Sequence, residues 1–198
     1  MTARNPDQKH VDAIWKRVAF TPMTPPPALK VYAAELSAVY RNGRVALAHA
    51  QATGAEELFE MLTWSDWLRS GIASRIWSKE PFRSALGIGP AQLDPRTEGA
   101  FRCCTGYELA ARLASAIGEG GIRPEPPLRT LVQAFDLAVP AAAALFGDPD
   151  DLALISRSPW CDFFAGSPFG ISVLGTCREL QTISAILAAD PAPDPRPD

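Results

Sequence analysis

The side chains best suited to chemistry lie in an aromatic and basic stretch, where Trp64, Trp67 and Trp77 are interleaved with Arg69, Arg75, Lys79 and Arg83. Such a mixture can stack nucleic-acid bases or receive a peptide, because aromatic and arginine side chains dominate binding hot spots. A helical wheel also places Trp64, Leu68, Ile72 and Ile76 on one side, so the alternative is that the tryptophans fill a core and the arginines solvate the opposite face. A second concentration is the run from Ser158 to Phe169, which packs Trp160, Phe163, Phe164 and Phe169 between proline and glycine residues. That run reads equally as an interface groove and as a lid over the core.

Catalytic and metal-binding patterns are sparse. His10 and His49 lie far apart, and neither has a second His or Cys three or four residues away. His10 reads as solvated, and His49 as a helix-surface or interface residue. Cysteines 103, 104, 161 and 177 show no C-x-x-C spacing, so reduced, partly buried thiols are expected. The sequence contains no G-x-S-x-G, G-x-G-x-x-G or P-loop pattern. Asp148, Asp150 and Asp151 lack the glycine and distal glutamate of a calcium loop, and acids are favoured at a helix start in any case. No catalytic residue, cofactor site or metal site is expected in this chain.

The elements that would position these residues read as helices. Asn5-Pro6-Asp7 suits a helix start, and Val11, Ile14, Trp15 and Val18 follow as one stripe until Thr21-Pro22. A second helix is predicted from Ala28 to Tyr40, with Leu29, Tyr32, Ala33 and Leu36 on one face; Asn42-Gly43 either breaks it or marks a close backbone contact. Residues 45–52 and 56–62 look like further helical pieces, and Thr63-x-x-Asp66 resembles a capping box. Thr105-x-x-Glu108 is another box, ahead of Leu109, Leu113 and Ile117. A helix carrying Leu128, Leu131, Val132 and Phe135 should kink or split at Pro140 and end at Gly147. A short helix containing Leu152 and Ile155 is expected to follow Asp148-Pro149, with a last one opening at Thr176-x-x-Glu179 and carrying Leu180, Ile183 and Leu187. Only Phe101–Cys104 and Gly170–Leu174 read as strands.

The expected fold is therefore all-α, alone or with a small β element in the C-terminal half. Composition divides it into a helical subdomain over 1–89, a mainly helical one over 100–189 and a disordered tail over 190–198. The net charge of −3 is uneven: 11 Lys/Arg face 8 Asp/Glu over residues 1–89, and 8 face 14 over residues 90–198. That small basic excess is weak for a nucleic-acid binder. The polar opening residues and the lack of a long apolar run lead us to expect a cytoplasmic chain with no membrane partner.

One segment resembles a known family. Tyr40-Arg41-Asn42 is followed by the alanine-rich stretch from Arg44 to Ala52, then Leu58 and Leu62, then Asp66-Trp67-Leu68-Arg69 and a segment closing at Pro81. This order resembles the helical N-terminal domain of the proteins encoded beside multinuclear-iron peptide oxidases, in methanobactin-, thiaglutamate- and bufferin-type systems. Thr63-Trp64 stands where that family favours glycine. The resemblance implies an accessory, non-catalytic subunit that binds the iron oxidase as a heterodimer and helps present a ribosomally made precursor peptide for cysteine modification. The iron would reside in the partner enzyme. Candidate contacts to partner or peptide are Arg41, Arg44, Trp64, Trp67, Arg69, Arg75, Trp160, Phe163, Phe164 and Phe169. A peptide could also add to an exposed edge at Gly170–Leu174, and the acidic C-terminal half would suit a basic leader. The alternative, carried by the Trp/Arg stretch, is a helical nucleic-acid-associated or assembly subunit.

Overall fold

The computed structural model describes residues 8–40, 43–61, 71–87, 100–119, 129–147, 153–157, 160–164, 167 and 170–190. The chain is mixed α/β, with a six-stranded sheet in the order β1-β2-β6-β5-β4-β3 at its centre. The strands are β1 (Ala19–Pro22), β2 (Arg44–Thr53), β3 (Arg102–Cys104), β4 (Ala153–Ser156), β5 (Gly170–Cys177) and β6 (Thr182–Ala189), and all neighbours are antiparallel. One sheet face is covered by α1 (Gln8–Arg17), α3 (Glu56–Met61), α4 (Ile72–Trp77), α5 (Phe82–Leu86) and the segment 160–164. The other is covered by α2 (Pro27–Val39), α6 (Gly106–Glu119) and α7 (Leu131–Phe146). The sheet takes β1 and β2 from the first 89 residues and its other four strands from the region after residue 100.

The all-α expectation is thus overturned, chiefly at β2 and β6. In β2, Ala46, Ala48, Ala50 and Ala52 point to the α1/α5 side, while Val45, Leu47 and His49 point to the other. The alanines are small because Trp15, Phe59 and Phe82 occupy the space above them. Read by propensity, an alanine-rich run is helix; read by period, its every-second-residue alternation is strand. In β6, Ile183, Ala185, Leu187 and Ala189 face one layer and Ile186 and Ala188 the other. A strand covered on both faces loses the apolar/polar alternation that would mark it. The expected helix from Thr176 is the end of β5, a turn at Arg178–Gln181 in which Gln181 takes φ 52°, and then β6. Ile155, expected in a short helix, lies in β4.

Other expectations hold. Helices α1, α2 and α6 fall where the apolar stripes place them, and Gly106–Glu119 begins with the Thr105 hydroxyl accepting from the Glu108 amide at 3.2 Å. Phe101–Cys104 and Gly170–Leu174 do contribute strands. Gly43 marks a close backbone contact, since a Cβ there would lie 2.3 Å from the Ala189 carbonyl oxygen. The capping box at Thr63 lies outside the described residues.

Candidate interaction surface

The singled-out aromatic residues that the structure describes go inward. Trp160, Phe163 and Phe164 are buried and join Trp77, Phe82 and Phe101 in a chain of ring contacts; Trp160 stands 5.2 Å from Trp77 and 5.4 Å from Phe101 between centroids. The Trp160 indole N–H donates to the Ser172 hydroxyl of β5 at 2.7 Å, which anchors this segment to the sheet. These rings are the core of the layer over β2, β5 and β6 rather than a surface groove. Arg44, at the start of β2, lies 5.4 Å over the Phe163 ring, and Arg75 on α4 pairs with Asp12 of α1 and lies 6.0 Å from the Trp15 ring centroid. Both guanidinium groups therefore help close the layer. Arg41, Trp64, Trp67, Arg69 and Phe169 lie outside the described residues.

The edge expected at Gly170–Leu174 is already used. Gly170–Cys177 pairs with β6 along its whole length, and Ser172–Gly175 pairs with β4 on the other side, so no peptide can add there. The outer strands of the sheet are β1, four residues ending in Pro22, and β3, three residues. Short edges of this kind offer few main-chain donors and acceptors to an incoming strand.

The titratable groups in the interior are quiet. His49 is not on a helix surface: it is buried in β2, directly opposite Ser184 of β6, with Nδ1 2.8 Å from the Ser184 hydroxyl. Burial lowers its pKa, so the ring is held neutral. All four cysteines are free thiols. Burial pushes Cys103 up to about 11, and burial with the nearby Glu108 carboxylate pushes Cys104 up to about 12, which keeps both thiols protonated and weakly nucleophilic at neutral pH. Among the described residues no group of three or more His, Cys, Asp or Glu side chains could hold a metal ion. Also among them, no helix is long and apolar enough to cross a membrane.

The surface that stands out was not singled out by sequence. Helix α7 is capped by a reciprocal box in which the Thr130 hydroxyl accepts from the Gln133 amide and the Gln133 side chain accepts from the Thr130 amide. It runs unbroken through Pro140 to Gly147, so the expected split does not occur. Its inner face is small: Ala134, Ala138, Ala141 and Ala142 are buried, and near its C-terminal end Leu145 settles on β5. Gly175 permits that approach, because a Cβ there would stand 2.7 Å from the Leu145 carbonyl oxygen.

The outer face of α7 is apolar too. Leu131 is 66% exposed, Val132 70% and Val139 52%, and Phe135 is also exposed. Val132, Phe135, Asp136, Val139, Pro140 and Ala143 recur at intervals of three and one, the spacing of a continuous stripe on one side of a helix, and all are exposed. Asp136 is the only charged residue in α7. Beside it, α6 runs antiparallel, since Gly106 at its start meets the Phe146 ring at the end of α7, and Tyr107 stands 89% exposed near that end. The signal that could have found this face is in the sequence: Leu131–Phe146 has only Gln133 and Asp136 as polar residues, yet a helix in an outer layer has only one side to bury.

Fold and surface together define a three-layer α/β protein with an apolar helical face exposed on one layer. Comparison of the chain with family models, curated proteins and solved structures yields no significant match.

Proposed function

We propose that this chain acts as a non-catalytic interaction subunit, docking on a partner protein through the outer face of α7. The observation that carries this reading is the stripe Val132, Phe135, Val139 and Ala143, which leaves large aliphatic and aromatic side chains in water along one side of a helix. Exposed contiguous apolar surface on a helix is stable in a cell when a partner covers it.

The specific form of the proposal is a subunit serving a multinuclear-iron oxidase that modifies a cysteine of a ribosomal precursor peptide. Its support is the residue order from Tyr40 to Pro81. That support lies in sequence alone, because Arg44–Thr53 is a strand where the family has a helix. In this form the iron belongs to the partner.

The test uses the tagged full chain and its Val139→Glu variant in native cells, with mass spectrometry and iron analysis of what each retains. An iron enzyme held in stoichiometric amount by the wild type and lost from the variant is the expected outcome. A Val139-dependent partner without iron would remove the oxidase and keep the interaction subunit. Identical sets of retained proteins would remove the interaction role itself.

A further inference from the structure

We infer that the occupant of the α7 face is an amphipathic helix of the partner that carries a lysine or arginine within its apolar stripe, set to meet Asp136. The inference rests on the interaction role proposed above and specifies the chemistry of what docks. From Val132 to Ala143 the stripe is 12 residues, or roughly 16 Å at the rise of an α-helix, which matches three turns of a partner helix.

Polarity within the stripe selects the partner. Asp136 lies between Val132 and Pro140 on the exposed side, and among the described residues it has no ion-pair partner. Pro140 adds a second acceptor at the same place. It has no N–H, so the Asp136 main-chain carbonyl lacks the donor that residue i+4 supplies in a regular helix. The centre of the face therefore offers a carboxylate and a carbonyl among Val132, Phe135, Val139 and Pro140, with Gln133 as the one polar neighbour on α7. Covering this spot with purely apolar groups would strand both acceptors, whereas an ammonium or guanidinium group satisfies both.

The same feature argues against a second copy of this chain. Antiparallel self-pairing about the middle of the stripe brings the two Asp136 side chains within about a helical turn of each other, with acceptors facing acceptors. The acidic balance of residues 90–198 points the same way, since it attracts a basic partner.

The experiment uses the full chain and three fluorescent synthetic helical peptides sharing one apolar stripe, with lysine, glutamine or glutamate at its centre. Anisotropy titrations read affinity, and sedimentation equilibrium of the protein alone reads self-association. The lysine peptide should bind about tenfold or more tighter than the glutamate peptide. Asp136→Lys should invert that order, Asp136→Asn should flatten it, and Val139→Glu should abolish binding of all three; circular dichroism of each variant confirms folding. Equal affinity for the three peptides, or a preference untouched by Asp136→Lys, overturns the inference. A dimer that Val139→Glu dissociates also overturns it, by making a second copy the occupant, while the interaction role stands.

Discussion

Helices α6 and α7 lie side by side on the same sheet face, antiparallel and in close contact, yet they treat water differently. On α6 the buried residues Leu109, Leu113, Ala114, Ala116 and Ile117 form the inner side, and the outer side carries Glu108 and Arg112, paired at 3.3 Å across one turn. That is the usual division of a surface helix. On α7 the inner side is largely alanine and the outer side is valine, phenylalanine and proline around Asp136. The small inner residues let α7 sit close to α6 and to β5. The large outer ones contribute little to this fold and are free to contribute to another protein. The two helices show that a layer can be finished internally and still be unfinished as a surface.

The comparison can be broken from the inside first. Gly175→Val would push α7 off β5, and a loss of about 3 kcal/mol of stability is expected by denaturant titration, because overpacking against main-chain atoms has no flexible neighbour to absorb it. Tyr32→Phe on α2 removes the hydroxyl that donates to the Leu113 carbonyl of α6 at 2.9 Å. That variant should lose about 1 kcal/mol, and a loss near zero would mean that the bond does not tie the two helices.

Acid acts on the same layer at His49. The folded-state pKa of His49 lies below its unfolded value, so the unfolded chain takes up the proton first. Its contribution is fully present above about pH 6.5 and is lost as pH falls through the lowered folded value. His49→Gln should flatten that part of the stability–pH curve, and an unchanged curve would assign the acid sensitivity elsewhere.

The outer faces give the smallest stability effects and the sharpest contrast. Arg112→Ala on α6 should cost about 0.3–0.5 kcal/mol, the worth of an exposed pair one turn apart. Val139→Glu on α7 should change the melting midpoint of the isolated chain by no more than about 0.5 kcal/mol equivalent. A loss of several kcal/mol from Val139→Glu would show that the residue serves the fold and would remove the reason for calling the face an interface.

The sequence carried different parts of this protein with different clarity. Helices with one wet side, α1, α2 and α6, are legible because a stripe such as Val11, Ile14, Trp15 and Val18 has a single physical reading. Strand β2 was legible only to a reader of period: its alanines alternate, but their helix propensity speaks louder in isolation. The candidate interface was hidden by the same bias toward burial. Leu131, Val132 and Phe135 look like core residues, and whether an apolar side chain is core or interface depends on what lies across from it.

By itself, the sequence determined that the chain has enough apolar residues for a core, where its one-sided helices fall, and that its histidines and cysteines lack the spacing of a metal or nucleophile site. Tertiary structure alone decided that residues 44–53 and 182–189 pair as strands, that Trp160, Phe163 and Phe164 turn inward, and that α7 presents valine and phenylalanine to water. The physical reason is range. A helix satisfies its main-chain bonds within itself and announces its face every three or four residues. A strand must borrow its bonds from a distant segment, as β2 does from β6, and a buried face exists only once both partners are in place.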